Sequence, residues 1–542
     1  MNLRNDYFLS LLFLTLFLFF LGIGARDFWA PVEPRYAEIV RVMFAKDQWI
    51  VPTVNGALYT DKPILFFWLA LLGSKVFGAV SEWTVRLPAA LGGVGFVFGT
   101  YVLGRDFFTR RAGWIAGAVL ATSMRVLWEA RWAHVDTLFC AAFIFAIYFI
   151  ARALFHKGSP YEILLAYPLM ALAVLTKGLI GVVLPGLLLL ALMLARRDWR
   201  LVFRLKLHLG VPIFLLVAAP WFFLVARATD GRWLADFIYI HHIQRYTAGA
   251  GHRQSFYYYL TTLPADFLPW TIFLIPALAA YRSYRRYWAE PTTQFFILWF
   301  VSVFLFFTLS NTKRDLYLLP LMPTLALFVG KYFDDFATGK IAAGALYRWT
   351  AAGFFAFAAL AGIAAAPTAW LIQRSALISA LAAALPLLLG GASVVWYVRR
   401  DRPLAVVGSV VAMMALTVVS AALWIMPYLE NFKSPRSFAQ QVNEMVPASA
   451  PVYIYADTMN DFNFYTKREV MPVLTSPPAL AALLARSEHA YLLVKERDLR
   501  RLPRLSRGWI IASEARNNAT WHLLQIGARD DRPRAKPEES TQ

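Results

Sequence analysis

Thirteen long apolar runs constrain this chain more than any other feature of its sequence. A transmembrane helix needs about 20 apolar residues, within a range of about 17–25. The 542 residues are 59% hydrophobic and 16% charged, whereas soluble domains average about 45–50% apolar and about 25% charged residues. The sequence predicts a polytopic α-helical membrane protein with about 13 transmembrane helices. The runs lie near residues 8–24, 87–104, 112–127, 136–151, 161–176, 179–195, 209–226, 263–280, 293–310, 315–330, 349–371, 376–397 and 403–426.

The basic residues sort the connections between these runs by membrane side. Short connections carry many of the cations, as at 105–111, 196–206 and 399–402, and the positive-inside rule places such connections in the cytoplasm. The long connections, residues 25–86 and 227–262, and the region after 427 then lie outside. The excess of 53 Lys and Arg over 33 Asp and Glu is therefore a topology signal, and no nucleic acid partner is expected.

Patterns outside the apolar runs predict a second domain. Residues 1–427 form the predicted transmembrane domain, whose first external loop holds an apolar stretch, 63–78, that suits an interfacial helix. After residue 427, SFAQQVNEMV and PALAALLARS favour helices, whereas PVYIYA and AYLLVK favour buried strands. The sequence predicts a small extracytoplasmic α/β domain over 428–526 and a charged, disordered tail over 527–542.

Two carboxylates stand at helix starts on the outer side. Glu33 precedes Pro34 in PVEPRYAEIVRVM, and Asp136 follows WEARWAH and opens an apolar run. An ionisable residue at the mouth of a span deserves a functional hypothesis, because such groups are costly in lipid. The alternative is structural: an acidic side chain at a helix start also caps the helix.

Cationic and polar residues recur in the same outer connections. WEARWAHVD also holds Glu129 and His134, and LTKG holds Lys177, for which a snorkelling anchor is the alternative role. The loop 227–262 holds three histidines, but nothing in the sequence fixes a metal geometry for them. The candidates for binding substrate or phosphate are Arg35, Tyr36, Asp61, Lys62, Arg131, Lys177, Arg245, Lys313, Arg314 and Tyr317.

Cations, carboxylates and apolar walls together suit a phosphate-bearing amphiphile as the substrate. Cations hold the phosphate, the spans hold the hydrocarbon tail, and a carboxylate accepts a proton from the attacking group. The sequence has no G-x-x-x-x-G-K-[ST] or G-x-G-x-x-G motif for cradling a nucleotide. A polyprenyl phosphate sugar is therefore the expected activated donor. No metal site and no certain cofactor are predicted, and a divalent metal is left open.

The same motifs resemble a known superfamily. PVEPRYAEIVRVM, YTDKP, LTKG, the His241-x-x-x-Arg245 pair, LPW at 268–270 and SNTKRDLYLLPLMP are similar, in order and spacing, to the aminoarabinose transferase and protein O-mannosyltransferase superfamily. The resemblance covers about residues 5–335. It implies the C-type glycosyltransferase fold with a small external domain, and sugar transfer from undecaprenyl phosphate at the outer face of the bacterial inner membrane. It assigns functional positions to Glu33, Arg35, Lys62, Asp136 and Lys177.

Two departures from the family pattern bear on the reaction. Val32 stands where the superfamily has the first residue of an acidic pair, and Asp61 replaces a glutamate common in the aminoarabinose branch. Either Glu33 serves alone, or Asp136 takes the missing role, or the chain uses a different acceptor. We expect the outer connections to converge on one pocket beside Glu33 and Asp136.

The sequence thus predicts an inverting glycosyltransferase with Glu33 and Asp136 as catalytic residues. The expected partners are a polyprenyl phosphate sugar donor, membrane lipids and an acceptor that is lipid A, a glycan or a protein. The expected location is the bacterial inner membrane, with the active site and C-terminal domain on the periplasmic side. The alternatives are a lipid or polysaccharide transporter (a flippase) and an inactive scaffold homologue.

Overall fold

The chain divides into two compact units in the computed structural model. The structure describes residues 3–155, 159–244, 253–282, 284–342, 344–457, 460–486, 489–500, 508–516 and 519–527. The first unit comprises Met1–Arg26, Lys46–Pro52 and Leu58–Tyr428, and the second comprises Asp27–Ala45, Thr53–Ala57 and Leu429–Gln542. The second unit therefore includes two pieces of the first loop, which the sequence did not predict. The predicted disordered tail lies outside the described residues, apart from Gly527.

The first unit is built from helices. Short 3₁₀ segments cover Glu162–Leu165, Trp270–Phe273, Asp315–Leu321 and Arg374–Ala376, and π-helical turns cover Tyr239–Gln244 and Ala421–Ile425. The α-helices of this unit are Leu3–Phe20, Leu65–Phe77, Glu82–Phe107, Arg110–Ala121, Met124–Ala130, Asp136–Phe155, Ala166–Lys177, Ile180–Arg196, Leu201–Arg204, Leu207–Ala228, Arg232–Ile238, Tyr258–Asp266, Leu274–Tyr281, Arg285–Ala289, Pro291–Leu309, Met322–Ala337, Ala345–Ile372, Leu377–Val398 and Pro403–Ser420.

Every one of the thirteen predicted runs falls on helical structure. Among the described residues, eight helices are long and apolar enough to cross a membrane, and a ninth crossing is added if one bent helix pair counts as a single span. Three further apolar helices are shorter, namely Asp6–Phe20, Leu65–Phe77 and Ile180–Arg196. The chain is therefore a multi-pass membrane protein, while thirteen crossings and an interfacial position for Leu65–Phe77 stay predictions.

The predicted run 112–127 is interrupted in the structure. Helix Arg110–Ala121 ends before Thr122, and helix Met124–Ala130 begins after Ser123. The Thr122 and Ser123 hydroxyls donate to the Ala118 and Val119 carbonyls at 2.6 and 2.7 Å. Such back-bonding competes with the helix ladder and explains a break that hydropathy alone does not reveal.

The predicted run 263–280 is sharply bent instead of straight. Helix Tyr258–Asp266 and the helical segment Trp270–Tyr281 meet at 103°. Pro269 lies in the break, and a proline removes one backbone donor and disfavours helix at the residue before it. The Leu268 carbonyl accepts instead from the Met124 N–H at 2.9 Å, which joins the bend to helix Met124–Ala130.

Close backbone contact fixes the helix that begins at Asp136. A Cβ added at Gly92, in helix Glu82–Phe107, would lie 2.4 Å from the Leu138 nitrogen. One turn earlier along that helix, the Ala89 carbonyl accepts a hydrogen bond from the Thr137 hydroxyl at 2.7 Å. The absence of a side chain at Gly92 therefore sets how closely the first turn of helix Asp136–Phe155 approaches its neighbour.

The second unit contains a five-stranded sheet. Helix Glu33–Lys46 belongs to this unit up to Ala45, and strands β1 (Thr53–Val54) and β2 (Ala57–Leu58) form a short separate ladder. The remaining strands are β3 (Val452–Tyr455), β4 (Val473–Leu474), β5 (His489–Lys495), β6 (Gly508–Arg516) and β7 (Ala519–Gly527), in spatial order β4-β3-β5-β7-β6. Strand β3 pairs parallel with β4 and β5, whereas β7 pairs antiparallel with β5 and β6.

Helices cover both faces of this sheet, as the alternation of β5 requires. Helices Arg436–Met445 and Asn460–Thr466 pack on the face of Tyr491 and Leu493. Helix Pro477–Arg486 packs on the opposite face, where Leu492 lies. The four segments that the sequence assigned to helix or strand in this region have those structures. Helices Met426–Lys433 and Glu496–Leu499 complete the described elements.

We expect Gly92→Ala to destabilise the protein by about 1–3 kcal/mol, because overpacking of this size forces the two helices apart. The melting temperature in detergent measures the effect. Gly186 lies inside helix Ile180–Arg196 with nothing within 4 Å of an added Cβ, so Gly186→Ala is the matched control. That control should melt at or slightly above the wild-type temperature. Equal melting of both variants would contradict the close-contact argument.

Candidate functional site

Asp136 lies at the centre of a group of charged side chains in the first unit. Its carboxylate accepts a hydrogen bond from the Lys177 ammonium, and both side chains are less than a tenth exposed. The Lys177 nitrogen also lies 5.3 Å from the ring centroids of Phe139 and Tyr317. Three predicted site residues, Asp136, Lys177 and Tyr317, are therefore neighbours although they come from three separate motifs.

Glu129 and His134 lie beside this ion pair. The Glu129 carboxylate is 2.5 Å from the Nδ1 atom of His134, and Glu129 is fully enclosed by protein. A carboxylate on Nδ1 fixes the orientation of the imidazole ring and raises its basicity. The connection between helices Met124–Ala130 and Asp136–Phe155 thus turns Glu129, His134 and Asp136 towards one another.

Arg125 ties the same group to two further segments. Its guanidinium donates to Glu129 at 3.3 Å, to Asp266 at 2.8 and 3.0 Å, and to Asp315. Asp266 ends the first helix of the bent pair, and Asp315 belongs to the SNTKRDLY turn. The Tyr259 hydroxyl adds a hydrogen bond to the Arg314 carbonyl at 3.1 Å. One arginine therefore holds together the bend, the turn and the carboxylate beside Asp136.

The donor atoms of Glu129, His134 and Asp136 lie within 4.8 Å of one another. Imidazole and carboxylate groups suit divalent transition metals, so these residues would hold the metal that the sequence left open. Asp136 is already bonded to Lys177 and Glu129 to Arg125, and a cation would have to displace those partners.

The first-loop motif YTDKP forms a second polar group in the first unit. The Lys62 ammonium donates to its neighbour Asp61 at 3.0 Å, and Asp61 lies 3.2 Å from Nδ1 of His241. The Nε2 atom of His241 is 3.1 Å from the Thr60 hydroxyl. Lys62 also acts electrostatically on Asp136, which links this group to the central ion pair.

The two cations of the SNTKRDLY turn have different surroundings. The Lys313 ammonium is nearly enclosed and donates to the Ser310 carbonyl at 2.6 Å, so it braces the turn. Within the part of the chain that the structure describes, the half-buried Arg314 guanidinium makes no ion pair or side-chain hydrogen bond. Arg314 is therefore better placed than Lys313 to receive an anion.

The Arg131 guanidinium is bound to backbone carbonyls of the protein. Its guanidinium donates to the Leu18 and Leu21 carbonyls at 2.6 and 2.7 Å, at the end of the first helix. Burial lowers the pKa of Arg131 to about 10, so it remains charged at neutral pH. Arg245, another predicted site residue, lies outside the described residues.

Glu33 belongs to the second unit, where it begins helix Glu33–Lys46. Its side chain is fully buried, and its carboxylate accepts the Trp29 backbone N–H at 3.3 Å. Tyr36 is also buried, whereas Arg35 is half-exposed. One turn further on, Glu38 forms a two-pronged ion pair with Arg41 at 2.7 Å. Burial raises the pKa of the Glu38 carboxyl, and the nearby Arg41 opposes that rise.

Sequence reasoning gave no role to Arg125, Asp266 or Asp315, and it noted Glu129 and His134 without using them. The available signal was a charge inside or beside an apolar run, as with Arg125 in run 112–127. The sequence could not reveal the partners, because Asp266 and Asp315 are 141 and 190 residues away from Arg125.

Comparisons with known proteins identify relatives of this chain. The family described as dolichyl-phosphate-mannose-protein mannosyltransferase matches residues 61–223. An undecaprenyl phosphate-alpha-4-amino-4-deoxy-L-arabinose arabinosyl transferase of Shewanella sediminis is 29% identical over 467 residues, which are 83% of each chain. The transferase of the same name from Pseudomonas paraeruginosa is 31% identical over 61% of this chain, and that match covers 60% of the relative.

Solved structures share the fold at lower sequence identity. The crystal structure of ArnT from Cupriavidus metallidurans bound to undecaprenyl phosphate has a TM-score of 0.81 and 23% identity, with 98% of this chain and all of that chain covered. An apo oligosaccharyltransferase from Archaeoglobus fulgidus has a TM-score of 0.51 and 13% identity, over 91% of this chain and 70% of that one. In sequence the chain is similar to these arabinosyl transferases, and it shares the fold of the solved ArnT.

Proposed function

We propose that this chain moves a sugar from a polyprenyl phosphate donor to an acceptor at the periplasmic face of the bacterial inner membrane. The observation that carries the proposal is the buried Asp136–Lys177 pair, with Tyr317 from a third segment beside it. Relatives named as undecaprenyl phosphate arabinosyl transferases support the donor class, as does the solved ArnT bound to undecaprenyl phosphate.

The reaction is a single displacement that inverts the anomeric carbon. The acceptor oxygen bonds to that carbon while the bond from the carbon to the phosphate oxygen breaks. Polyprenyl phosphate leaves with the bonding electron pair, and the acceptor proton passes to a carboxylate. Asp136 takes that proton, and Lys177 keeps Asp136 ionised and oriented before the reaction, since an unpaired carboxylate at such a buried position would be costly.

The leaving phosphate needs positive charge that the protein has not already neutralised. Arg314 is the strongest candidate, because its guanidinium has no described partner and lies on the turn that Arg125 holds through Asp315. Lys62 and Lys177 are already paired with Asp61 and Asp136 and so contribute less charge, and Tyr317 adds a hydroxyl. Charges fixed before the reaction stabilise a developing phosphate by several kcal/mol in a water-poor site.

The acceptor is a glycolipid such as lipid A, a glycan or a protein of the cell envelope. Mass spectrometry of envelope lipids and glycans from a deletion strain identifies it by the sugar that disappears. Sugar transfer by purified protein in detergent separates this function from a flippase, which makes no product without a bilayer. Similarity to relatives that are named as arabinosyl transferases favours the transferase.

Replacing Asp136 with Asn should lower sugar transfer at least about 100-fold, because general bases contribute about 10²–10⁴-fold. Complementation of the deletion strain, followed by mass spectrometry, measures transfer, and titration with undecaprenyl phosphate measures donor-site integrity. Asp334→Asn is the matched control: Asp334 is equally buried but pairs with Arg111 and Thr109. Near-normal transfer by the Asp136 variant would remove it from the mechanism.

The role of Glu33 is tested by Glu33→Gln. The amide oxygen can still accept the Trp29 N–H, so this hydrogen bond survives while the ionisable carboxylate is lost. If Glu33 is catalytic, transfer is abolished although expression and undecaprenyl phosphate binding stay nearly normal. Full activity would leave Glu33 with a structural role alone. Glu38→Gln, on the same helix, should reduce stability but not the activity of the folded protein, because its partner is Arg41.

Arg125→Lys tests the link between the SNTKRDLY turn and the carboxylates. Lysine keeps the charge, but it lacks the planar fork that serves Glu129, Asp266 and Asp315 together. We expect the transfer rate of the folded protein to fall about tenfold or more. Arg111→Lys, which alters a comparable arginine paired with Asp334, should leave the rate nearly unchanged. Equal rates for the two variants would show that Arg125 is not needed for positioning.

A further inference from the structure

A short basic connector joins helix Ile180–Arg196 to helix Leu207–Ala228. We define the basic connector as residues 197–206, which include helix Leu201–Arg204. The positive-inside rule places it on the cytoplasmic side, away from the proposed reaction. It contains four cations and a single acid, namely Arg197, Arg200, Arg204, Lys206 and Asp198.

One side of the basic connector is anchored in the protein. Leu201 and Leu205, four residues apart, are 3% and 7% exposed. The Leu205 carbonyl accepts the Tyr167 hydroxyl at 2.7 Å, and the Asp198 carboxylate accepts the Arg200 N–H at 3.1 Å. The backbone of the connector therefore has a defined conformation.

The basic connector also carries three exposed arginines. Arg197, Arg200 and Arg204 are exposed and are spaced three and four residues apart, and the described residues give none of them an ion pair or side-chain hydrogen bond. By contrast, Arg196 donates to the Pro291 carbonyl at 3.0 Å and lies over the Phe155 ring. The three exposed guanidiniums thus form a surface that the protein leaves open to an anion.

Exposed aromatic side chains lie among these arginines. Trp199 and Phe203 are 59% and 80% exposed, and the neighbouring spans carry exposed Leu194 and Leu207. Aromatic rings with arginines between them suit the boundary between hydrocarbon and headgroups, where the rings leave water and the guanidiniums meet phosphate.

We propose that the basic connector binds the headgroup phosphates of anionic phospholipids in the cytoplasmic leaflet. Arginine suits this role, because its planar fork makes two-pronged hydrogen bonds to a phosphate. The rings of Trp199 and Phe203 enter the interface beside the acyl chains. The surface takes a lipid in preference to a soluble anion because apolar helices flank it at both ends.

Native mass spectrometry of the full-length purified chain tests this surface. The protein in detergent is titrated with cardiolipin and with phosphatidylcholine of matched acyl chains. We expect tighter binding of cardiolipin. The triple variant Arg197→Gln/Arg200→Gln/Arg204→Gln should weaken cardiolipin binding about tenfold or more and leave phosphatidylcholine binding unchanged.

Two further variants complete the test. Arg227→Gln/Arg232→Gln removes exposed arginines at the other end of helix Leu207–Ala228 and should bind cardiolipin like the wild type. Trp199→Ala/Phe203→Ala should weaken binding of both lipids. Melting temperatures verify that all variants are folded. The proposal is overturned if the triple variant keeps wild-type cardiolipin affinity, or if phosphatidylcholine binds the wild type equally well.

Discussion

Compensation of buried charge is the constraint on which the first unit depends. An ionised side chain among apolar helices is costly unless an opposite charge meets it with good geometry. Lys177 meets Asp136, and Arg125 meets Glu129, Asp266 and Asp315. Apart from the Arg125–Glu129 pair within one helix, these pairs join segments that are distant in sequence, so the need to neutralise charge also determines which helix ends lie together.

Hydropathy predicted where helices form but not where they break. All thirteen runs are helical, because a long apolar segment in lipid has few alternatives that satisfy its backbone. The break at Thr122 depends on local hydrogen bonding, and the break at Pro269 depends on proline geometry. Hydropathy averaged over about 20 residues does not detect either feature. The C-terminal strands could be predicted because short apolar runs, and alternation of apolar and polar residues, indicate β-strands outside the membrane.

The sequence predicted several residues of the candidate site but few of the contacts between them. Charge at the helix mouths and motif resemblance selected Asp136 and Lys177, and the cationic outer turn selected Tyr317; the structure brings the three together. It did not separate Arg314 from Lys313, because adjacent cations on one turn look equivalent until the Ser310 carbonyl is seen to bind one of them. The sequence also did not show that the Arg131 guanidinium donates to the Leu18 and Leu21 carbonyls.

The position of Arg125 in the chain has a consequence for biogenesis. Glu129 follows Arg125 by one helical turn and is synthesised with it, whereas Asp266 and Asp315 reach the membrane much later. Early in translation, therefore, Glu129 is the only one of these three carboxylates available to neutralise the charge of Arg125. The cluster around Asp136 therefore matures late, after the bent helix pair and the SNTKRDLY turn have been inserted, and a nascent chain truncated before Asp315 holds an incomplete version of it.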